Sequence, residues 1–218
     1  MKFPEHLSIS ALTKYEECPR CFWMKSIAGL EDKPSPAQAL GSEVHQAISS
    51  YHKGKVIKVS PDADKLFIAY AERIIPEAIK VTEFEFVVPF VNLATGEELP
   101  YKLKGFVDGI SNKWLFEHKT SSRYWKMEDI EGDLQATAYA YGYYMTFGEL
   151  PKGIRFQIIK KNKVPKIQFL ETYRTFEDLV NFWEWARKLT DEMEKGNFEP
   201  KETRFGYHHY LCSYFREK

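Results

Sequence analysis

The hydrophobic pattern of the chain changes its period near residue 80, and this change constrains the fold more than any other feature. Three segments before it begin with serine or serine–proline capping signals, which predict helices over 8–25, over 35–52 and from 60 to about 72 or 79. Three segments after it are rich in Phe, Val and other strand-forming residues: 82–91, 101–110 and 113–120. The first half of the chain therefore passes once from helices to strands.

The second half alternates between the two patterns. A helical segment over 129–147 precedes a hairpin over 154–172, and a last helix runs from Thr175 to about Gly196. Helices first, then three strands, a helix, two strands and a helix are typical of an α/β domain. We therefore predict a mixed central sheet that is flanked by helices.

Length and composition indicate one globular domain. The chain has 218 residues, of which 44% are hydrophobic and 28% charged, so a disordered or fibrous protein is excluded. We expect a single domain over 1–218, with a helical N-terminal part of about 1–80 and a sheet-containing part of about 81–218.

Charge, cysteine content and hydropathy limit the partners and the cellular compartment that the sequence allows. Lys and Arg together number 31, as do Asp and Glu, so nucleic acid would have to bind a local basic patch. Three cysteines are too few for a disulfide framework and favour a reducing compartment. No signal peptide is visible, and the longest uncharged stretch, 134–148, is shorter than the roughly 20 residues of a membrane span. We expect a soluble cytoplasmic protein without a membrane partner.

Two acidic residues and a lysine are predicted to share one face of a hairpin. With a two-residue turn at Ser111-Asn112, Asp108 pairs with Leu115 and lies on the same face as Glu117 and Lys119. Asp108 and Glu117 are then diagonal neighbours, with Cα atoms roughly 7–8 Å apart. Because a one-residue slip would put the two carboxylates on opposite faces, the register of this hairpin matters.

Adjacent buried carboxylates repel each other unless a cation or a shared proton offsets the repulsion. Oxygen ligands suit Mg²⁺ or Mn²⁺, and a nearby lysine can hold an attacking water and counter charge on a phosphate. The alternative is an ordinary surface hairpin with a Glu–Lys pair, which contributes little to the stability of the fold. The apolar neighbours Trp114, Leu115 and Phe116 favour a buried strand, but both interpretations stay open on these residues alone.

Five short blocks resemble, in their order, the PD-(D/E)-x-K nuclease superfamily and specifically its RecB-like exonuclease branch. The blocks are Leu7–Leu12 with Tyr15 and Cys18-Pro19, then Leu40–His45, Gly105–Ile110, Glu117–Thr120 and Gln135–Tyr139. The resemblance runs from about residue 7 to residue 139. It implies a restriction-endonuclease-like fold, with the whole chain as one RecB-like nuclease domain.

The resemblance also implies a metal-binding site. Asp108, Glu117 and His45 match the positions of the family's ligands for Mg²⁺ or Mn²⁺, and the backbone carbonyl of His118 matches a further ligand while its side chain points away. Taken by itself, a helical histidine such as His45 is more often a packed or capping residue than a ligand.

Three further residues match catalytic positions of the family. Lys119 corresponds to the lysine that positions the nucleophilic water, and Gln135 and Tyr139 to the pair that orients the lysine and the DNA. Gln135 and Tyr139 are also compatible with an ordinary face of a tyrosine-rich helix, since they lie four residues apart.

The cysteines raise the question of a second cofactor. Many members of the branch carry a [4Fe–4S] cluster, and Cys18 and Cys212 match two of its four ligand positions, whereas His209 and Lys218 stand at the other two. Since lysine is not a usual cluster ligand, Cys18, Cys21, Cys212 and His208 or His209 could instead form a Cys₃His zinc site. We favour the loss of the cluster, with aromatic packing in its place.

A basic segment predicts contacts with DNA. The segment from Lys152 to Lys166 contains six basic residues and no acidic one. Within this segment, the candidates for phosphate contacts are Lys160, Lys161 and Lys163. Lysines can also protect a hairpin edge against aggregation. Arg123 is a further candidate because it lies in a segment, 123–126, that mixes basic and aromatic residues as single-strand grooves do.

The combined prediction is a Mg²⁺- or Mn²⁺-dependent deoxyribonuclease, an exonuclease that acts on single-stranded or duplex DNA ends and leaves 5′-phosphates. Recombination, DNA repair and CRISPR adaptation use this kind of module, so a recombination, helicase or CRISPR adaptation protein is an expected partner. The alternatives are a site-specific endonuclease of the same superfamily and a non-catalytic DNA-binding relative.

Overall fold

The computed structural model of the protein describes residues 3–30, 33–203 and 206–207. It contains seven α-helices within these ranges: α1 Ile9–Glu17, α2 Pro19–Phe22, α3 Pro36–His52, α4 Pro61–Ala71, α5 Met127–Glu131, α6 Leu134–Phe147 and α7 Phe176–Glu194. A π-helical turn, Trp23–Ile27, follows α2, and a 3₁₀ turn, Pro76–Ala78, follows α4. No described helix is both long and apolar enough to span a bilayer.

The strands form a mixed sheet. They are β1 His6–Ser8, β2 Val81–Val91, β3 Glu98–Ser111, β4 Trp114–Ser121, β5 Gly153–Lys160 and β6 Lys166–Thr172, and a short pair adds β7 Glu202–Thr203 and β8 Gly206–Tyr207. The order in the large sheet is β1-β3-β4-β5-β6, with β2 also paired to β3. The β1–β3 and β4–β5 pairs are parallel, while β3–β4 and β5–β6 are antiparallel. The predicted α/β class with a mixed, helix-flanked sheet is confirmed.

The backbone divides into two compact units. One comprises residues 1–33, 87–105 and 176–218, and the other comprises 34–86 and 106–175. We call them the terminal unit and the catalytic-motif unit. The expectation of a single domain over 1–218 stays a prediction.

Local signals explain the helix boundaries of the catalytic-motif unit. The Ser35 hydroxyl accepts a hydrogen bond from the Gln38 N–H, the Gln38 side chain accepts one from the Ser35 N–H, and Pro36 fills the first helical position of α3. Ser60 caps α4 in the same way, by accepting from the Ala63 N–H. Both helices therefore begin where the sequence predicts.

The core of this unit lies between α3, α4 and one face of the sheet. Its fully buried members come from all three elements and include Val44, Ile48, Leu66, Tyr70 and Ile159. On α6, an added Cβ at Gly142 would lie 2.5 Å from the Phe86 ring, so the helix approaches β2 more closely than any residue with a side chain allows. The site therefore rests on well-packed elements.

In the terminal unit, the first predicted helix is interrupted. The sequence predicts one helix to about Lys25, but Cys18 adopts an extended backbone with φ −156° between α1 and α2. The cause is Pro19, since proline disfavours helical geometry in the residue before it. Cys18 and Cys21 are buried free thiols in this unit.

The turn of the β3–β4 hairpin differs from the prediction. The turn residues are Asn112 and Lys113, with φ 51° and 67°, and Ser111 pairs with Trp114. Two successive positive φ values are typical of a type I′ hairpin turn, which asparagine tolerates well. The predicted pairing of Asp108 with Leu115 is therefore wrong by two residues. Because the shift is even, every side chain stays on its predicted face.

Candidate active site

The hairpin brings Asp108 next to the two charged residues of β4. The observed register pairs Gly109 with Phe116, so Asp108 and Glu117 come next along their strands. The Asp108 Oδ2 atom accepts a hydrogen bond of 2.7 Å from the His118 backbone N–H. An added Cβ on Gly109 would lie 2.6 Å from the Ile79 side chain, so the glycine beside Asp108 allows this close packing.

His45 reaches the same carboxylate from α3. Its Nδ1 atom lies 3.2 Å from Asp108 Oδ1. Burial alone would raise the pKa of Asp108, but the hydrogen bond and the charge of His45 lower it to about 2. Conversely, burial lowers the pKa of His45, but Asp108 outweighs this effect and raises it overall. The two side chains thus form a polarised pair at the edge of the site.

Glu117 is the most deeply buried acidic residue of the site. Its side chain is 3% exposed, and its Oε1 atom lies 2.5 Å from the Lys119 ammonium. Burial, followed by the negative charge of Asp108, raises the pKa of Glu117 to about 8. Among the described residues, the second oxygen, Oε2, has no hydrogen-bond partner. An unpaired buried acceptor of this kind is costly unless a ligand completes it.

Lys119 is held by a chain of hydrogen bonds that ends on α6. Its ammonium donates to Gln135 Oε1 at 2.6 Å, and the Gln135 amide donates to the Tyr139 hydroxyl at 2.5 Å. Burial lowers the pKa of Lys119, but the Glu117 carboxylate raises it overall, so the lysine keeps its proton. The predicted Gln135–Tyr139 pair therefore does lie against the lysine.

The start of α6 is fixed by residues that the sequence analysis did not identify. Asp133 caps the helix by accepting from the Ala136 N–H at 2.7 Å. The guanidinium of Arg174, 7% exposed, donates to the Asp133 carbonyl at 3.1 Å and to the Thr137 hydroxyl at 2.8 Å. An aspartate before an apolar helical run is a recognisable cap signal. No sequence pattern marks Arg174.

His118 points to the opposite side of the strand from Glu117 and Lys119. Its ring lies 5.4 Å from the Tyr70 ring and 5.9 Å from the His45 ring, both edge-on. Burial lowers the pKa of His118 to about 4, so the imidazole is neutral. The side-chain direction agrees with the expectation, and the role of its carbonyl stays a prediction.

The donor atoms of the site fit a hard divalent cation. The described residues contain no group of three or more His, Cys, Asp and Glu already arranged around one point. However, Mg²⁺ usually binds to one or two carboxylates and keeps several waters. At metal–ligand distances of about 2.1 Å, neighbouring ligand atoms of an octahedral ion lie about 3 Å apart. The 3.2 Å distance from His45 Nδ1 to Asp108 Oδ1 and the unpartnered Glu117 Oε2 both suit such an ion.

The predicted DNA contacts differ in the charge that they offer. Arg123 is exposed, but its guanidinium forms two hydrogen bonds, 2.7 and 2.8 Å, with the Asp129 carboxylate. Lys160 is buried, with its ammonium 4.4 Å from the centre of the Tyr124 ring. Lys161 is half-buried and Lys163 is exposed. Their roles stay predictions.

The candidate iron–sulfur or zinc ligands are only partly described. Cys18 and Cys21 are buried and free in the terminal unit. Cys212, His208 and His209 lie outside the described residues.

Comparison with known proteins identifies the family and the fold of the chain. The family model of the PD-(D/E)XK nuclease superfamily matches residues 6–214. A crystal structure of a candidate exonuclease from Eubacterium rectale superposes with a TM-score of 0.64 at 16% identity, over 97% of this chain and 88% of that one. The crystal structure of SSO0001 superposes with a TM-score of 0.52 at 20% identity, over 87% and 78% of the two chains. No protein with a curated description matches. At these identities the two structures establish a shared restriction-endonuclease-like fold.

Proposed function

Because this chain belongs to the PD-(D/E)XK nuclease superfamily, we propose that it is a divalent-metal-dependent DNA exonuclease of the RecB-like branch. The observation that carries the proposal is the convergence of Asp108, Glu117 and Lys119 in one unit, with His45 and Gln135 against them. The Eubacterium rectale neighbour, itself a candidate exonuclease, supports the exonuclease activity.

Asp108, Glu117 and His45 would hold Mg²⁺ or Mn²⁺, with the His118 carbonyl as a further ligand. When bound, such an ion polarises a phosphate oxygen and lowers the pKa of a water. The protein's own contribution is to hold two carboxylates in a buried place and to leave one acceptor, Glu117 Oε2, without a hydrogen-bond partner among the described residues. Burial strengthens the electrostatic interactions that the carboxylates make with a cationic ligand.

Lys119 acts on the attacking water and on the phosphate. Its ammonium is fixed between Glu117 Oε1 and Gln135 Oε1, which leaves its third proton to donate to the water or to a phosphate oxygen. Charge that develops on the phosphate is stabilised by this fixed cation without reorganisation. Tyr139 orients the Gln135 amide and thereby sets the direction of the lysine.

The substrate that we propose is DNA with free ends, single-stranded or duplex, and hydrolysis leaves 5′-phosphates. The expected setting is the cytoplasm, in recombination, repair or CRISPR adaptation, with a recombination, helicase or CRISPR adaptation protein as the partner. Loss of the [4Fe–4S] cluster, for which Cys18 and Cys212 match two ligand positions, stays part of this proposal.

The test is cleavage of end-labelled single-stranded and duplex DNA, and of closed circular DNA, with Mn²⁺. We expect degradation from the ends only, and a loss of about 100-fold or more in Lys119→Ala. Lys188→Ala is the matched control, because Lys188 is an exposed lysine of α7 outside the site.

Three outcomes would contradict parts of the proposal. Unchanged activity in Lys119→Ala would refute the site assignment. Cleavage of closed circles would favour the endonuclease alternative. Binding of DNA without cleavage by the wild type would favour a non-catalytic relative.

A further inference from the structure

An exposed aromatic ring lies just beyond the catalytic strand. Tyr124 is 55% exposed and belongs to the segment 121–126, which connects the end of β4 to α5. Large aromatic side chains contribute most to the free energy of folding or binding when their rings are buried against protein or ligand. This ring follows Lys119 by five residues and is mostly open to solvent.

Side-chain hydrogen bonds hold the segment in one conformation. The Ser121 hydroxyl accepts from the Arg123 N–H at 3.1 Å and from the Trp125 indole at 3.2 Å. Gln168 bonds both backbone groups of Trp125, at 3.0 and 2.8 Å. Asp129 accepts from the Lys126 N–H at 2.7 Å as well as from Arg123. Because the segment is already ordered, a ligand that contacts Tyr124 loses little free energy to ordering it.

The segment lies on the same face of the sheet as the active-site carboxylate and lysine. The parallel β4–β5 register pairs three residues of β4 with three of β5, namely Glu117 with Phe156, Lys119 with Ile158 and Ser121 with Lys160. Paired residues point to one face, and the Trp125 ring packs 5.9 Å from the Phe156 ring on that face. Ligands of open α/β sheets commonly bind beyond the carboxyl ends of the strands, which is where Tyr124 lies.

The Lys160 ammonium contacts one face of the Tyr124 ring. It is 3% exposed, and its ammonium lies 4.4 Å from the ring centre, a favourable cation–π distance. Within the described part of the chain no carboxylate pairs with it, whereas Arg123 is neutralised by Asp129. A buried positive charge without a carboxylate favours an anionic ligand nearby. One face of Tyr124 thus contacts a cation, and its exposure leaves the other face open.

We infer that Tyr124 and Lys160 form a stacking site for an unpaired base of single-stranded DNA. The inference rests on the proposed nuclease function and assigns the substrate class to it. A flat ring stacks with any base, and the unpaired lysine charge attracts the sugar-phosphate backbone. Bases inside a duplex are already stacked, so the site selects single strands over blunt duplexes.

The experiment measures binding without cleavage. A fluorescein-labelled oligothymidylate and a blunt duplex annealed from two separate strands are titrated with the protein in EDTA, and anisotropy gives the Kd. Since base–aromatic stacking is worth about 1–3 kcal/mol, Tyr124→Ala should weaken single-strand binding by about fivefold or more. Tyr124→Phe, which keeps the ring, should bind within about twofold of the wild type. Tyr173→Ala is the matched control, since Tyr173 is 61% exposed and packs near Trp114 at the opposite end of β4.

Each other outcome is decisive. Equal weakening on the single strand and on the blunt duplex would show a damaged protein loop and would overturn the stacking site, as would wild-type binding by Tyr124→Ala. Cleavage with Mn²⁺ is measured separately. If the wild type cleaves no DNA, the proposed function fails, and the single-strand preference of binding still tests Tyr124.

Discussion

At the scale of single residues, the site combines two buried carboxylates whose pKa values are shifted in opposite directions. Asp108 receives hydrogen bonds from His45 and from the His118 N–H, so its charge is compensated inside the protein. One oxygen of the Glu117 carboxylate forms an ion pair with Lys119, and the other has no hydrogen-bond partner among the described residues. The protein therefore keeps Asp108 ionised and leaves Glu117 dependent on a ligand.

Glu117 should make the metal-free protein less stable as pH rises. Burial and Asp108 raise its pKa to about 8 in the folded state, above the usual value of about 4.3 in the unfolded chain. Between these values the folded state binds the extra proton, so the unfolding free energy falls as pH rises from about 5 to 8. In EDTA, the Tm of Glu117→Gln minus the Tm of the wild type should therefore increase as pH rises over this range. A constant Tm difference would contradict the raised pKa.

Gln135 should matter more for catalysis than for folding. Gln135→Ala removes the acceptor that fixes the Lys119 ammonium, and misplacement of a catalytic group can cost up to about 100-fold in rate. We expect a fall of about 10- to 100-fold in cleavage with Mn²⁺ and a nearly unchanged Tm. Tyr139→Phe removes only the support for the Gln135 amide and should show a smaller loss. The prediction fails if Tyr139→Phe is the more damaging change.

At the scale of elements, prediction from sequence succeeded where the signal is local. The start of α3 follows from Ser35 as the cap and Pro36 at the first helical position, and in the structure Ser35 exchanges hydrogen bonds with Gln38. The hairpin turn was wrong because the left-handed backbone of Asn112 and Lys113 depends on the strands that they join. The Asp108–Glu117 face was nevertheless correct, since strand alternation survives an even shift.

Helix α6 shows what the sequence could not predict. The pattern indicated one helix from residue 129, whereas α5 ends at Glu131 and α6 begins at Leu134. Arg174 completes this break by donating to the carbonyls of Ile130 and Asp133, which are 44 and 41 residues away in sequence. Contacts of such separation leave no trace in a local pattern.

Arg174 should therefore be essential to the stability of the catalytic-motif unit. Arg174→Ala removes the guanidinium donor from three buried hydrogen bonds, those to the Thr137 and Thr172 hydroxyls and to the Ile130 carbonyl. Hydrogen bonds to charged groups are worth about 1.5–3 kcal/mol each, so the unfolding free energy should fall by at least about 3 kcal/mol. Urea unfolding measures this, with Arg73→Ala, at an exposed arginine, as the control. A loss below 1 kcal/mol would show that water replaces the guanidinium.

At the scale of the whole molecule, the motif residues converge although they are far apart in sequence. His45, Asp108, Glu117 and Gln135 come from α3, β3, β4 and α6 and lie within one compact unit. The blocks and their order indicated which residues belong together. The distances among them, the unpartnered Glu117 Oε2 and the tethered segment around Tyr124 needed the fold.

Metal binding should be measurable as whole-protein stability. A ligand that binds only the folded state stabilises it by RT ln(1 + [L]/Kd), about 2.7 kcal/mol at a hundredfold excess over Kd. We expect Mn²⁺ to raise the Tm of the wild type, because the cation offsets the burial of the Glu117 charge and its repulsion by Asp108, which together raise the pKa of Glu117. The double variant Asp108→Asn with Glu117→Gln removes this repulsion and both anionic ligands, so its Tm should not respond to Mn²⁺. An equal shift in both proteins would place the metal elsewhere, whatever the nuclease assay shows.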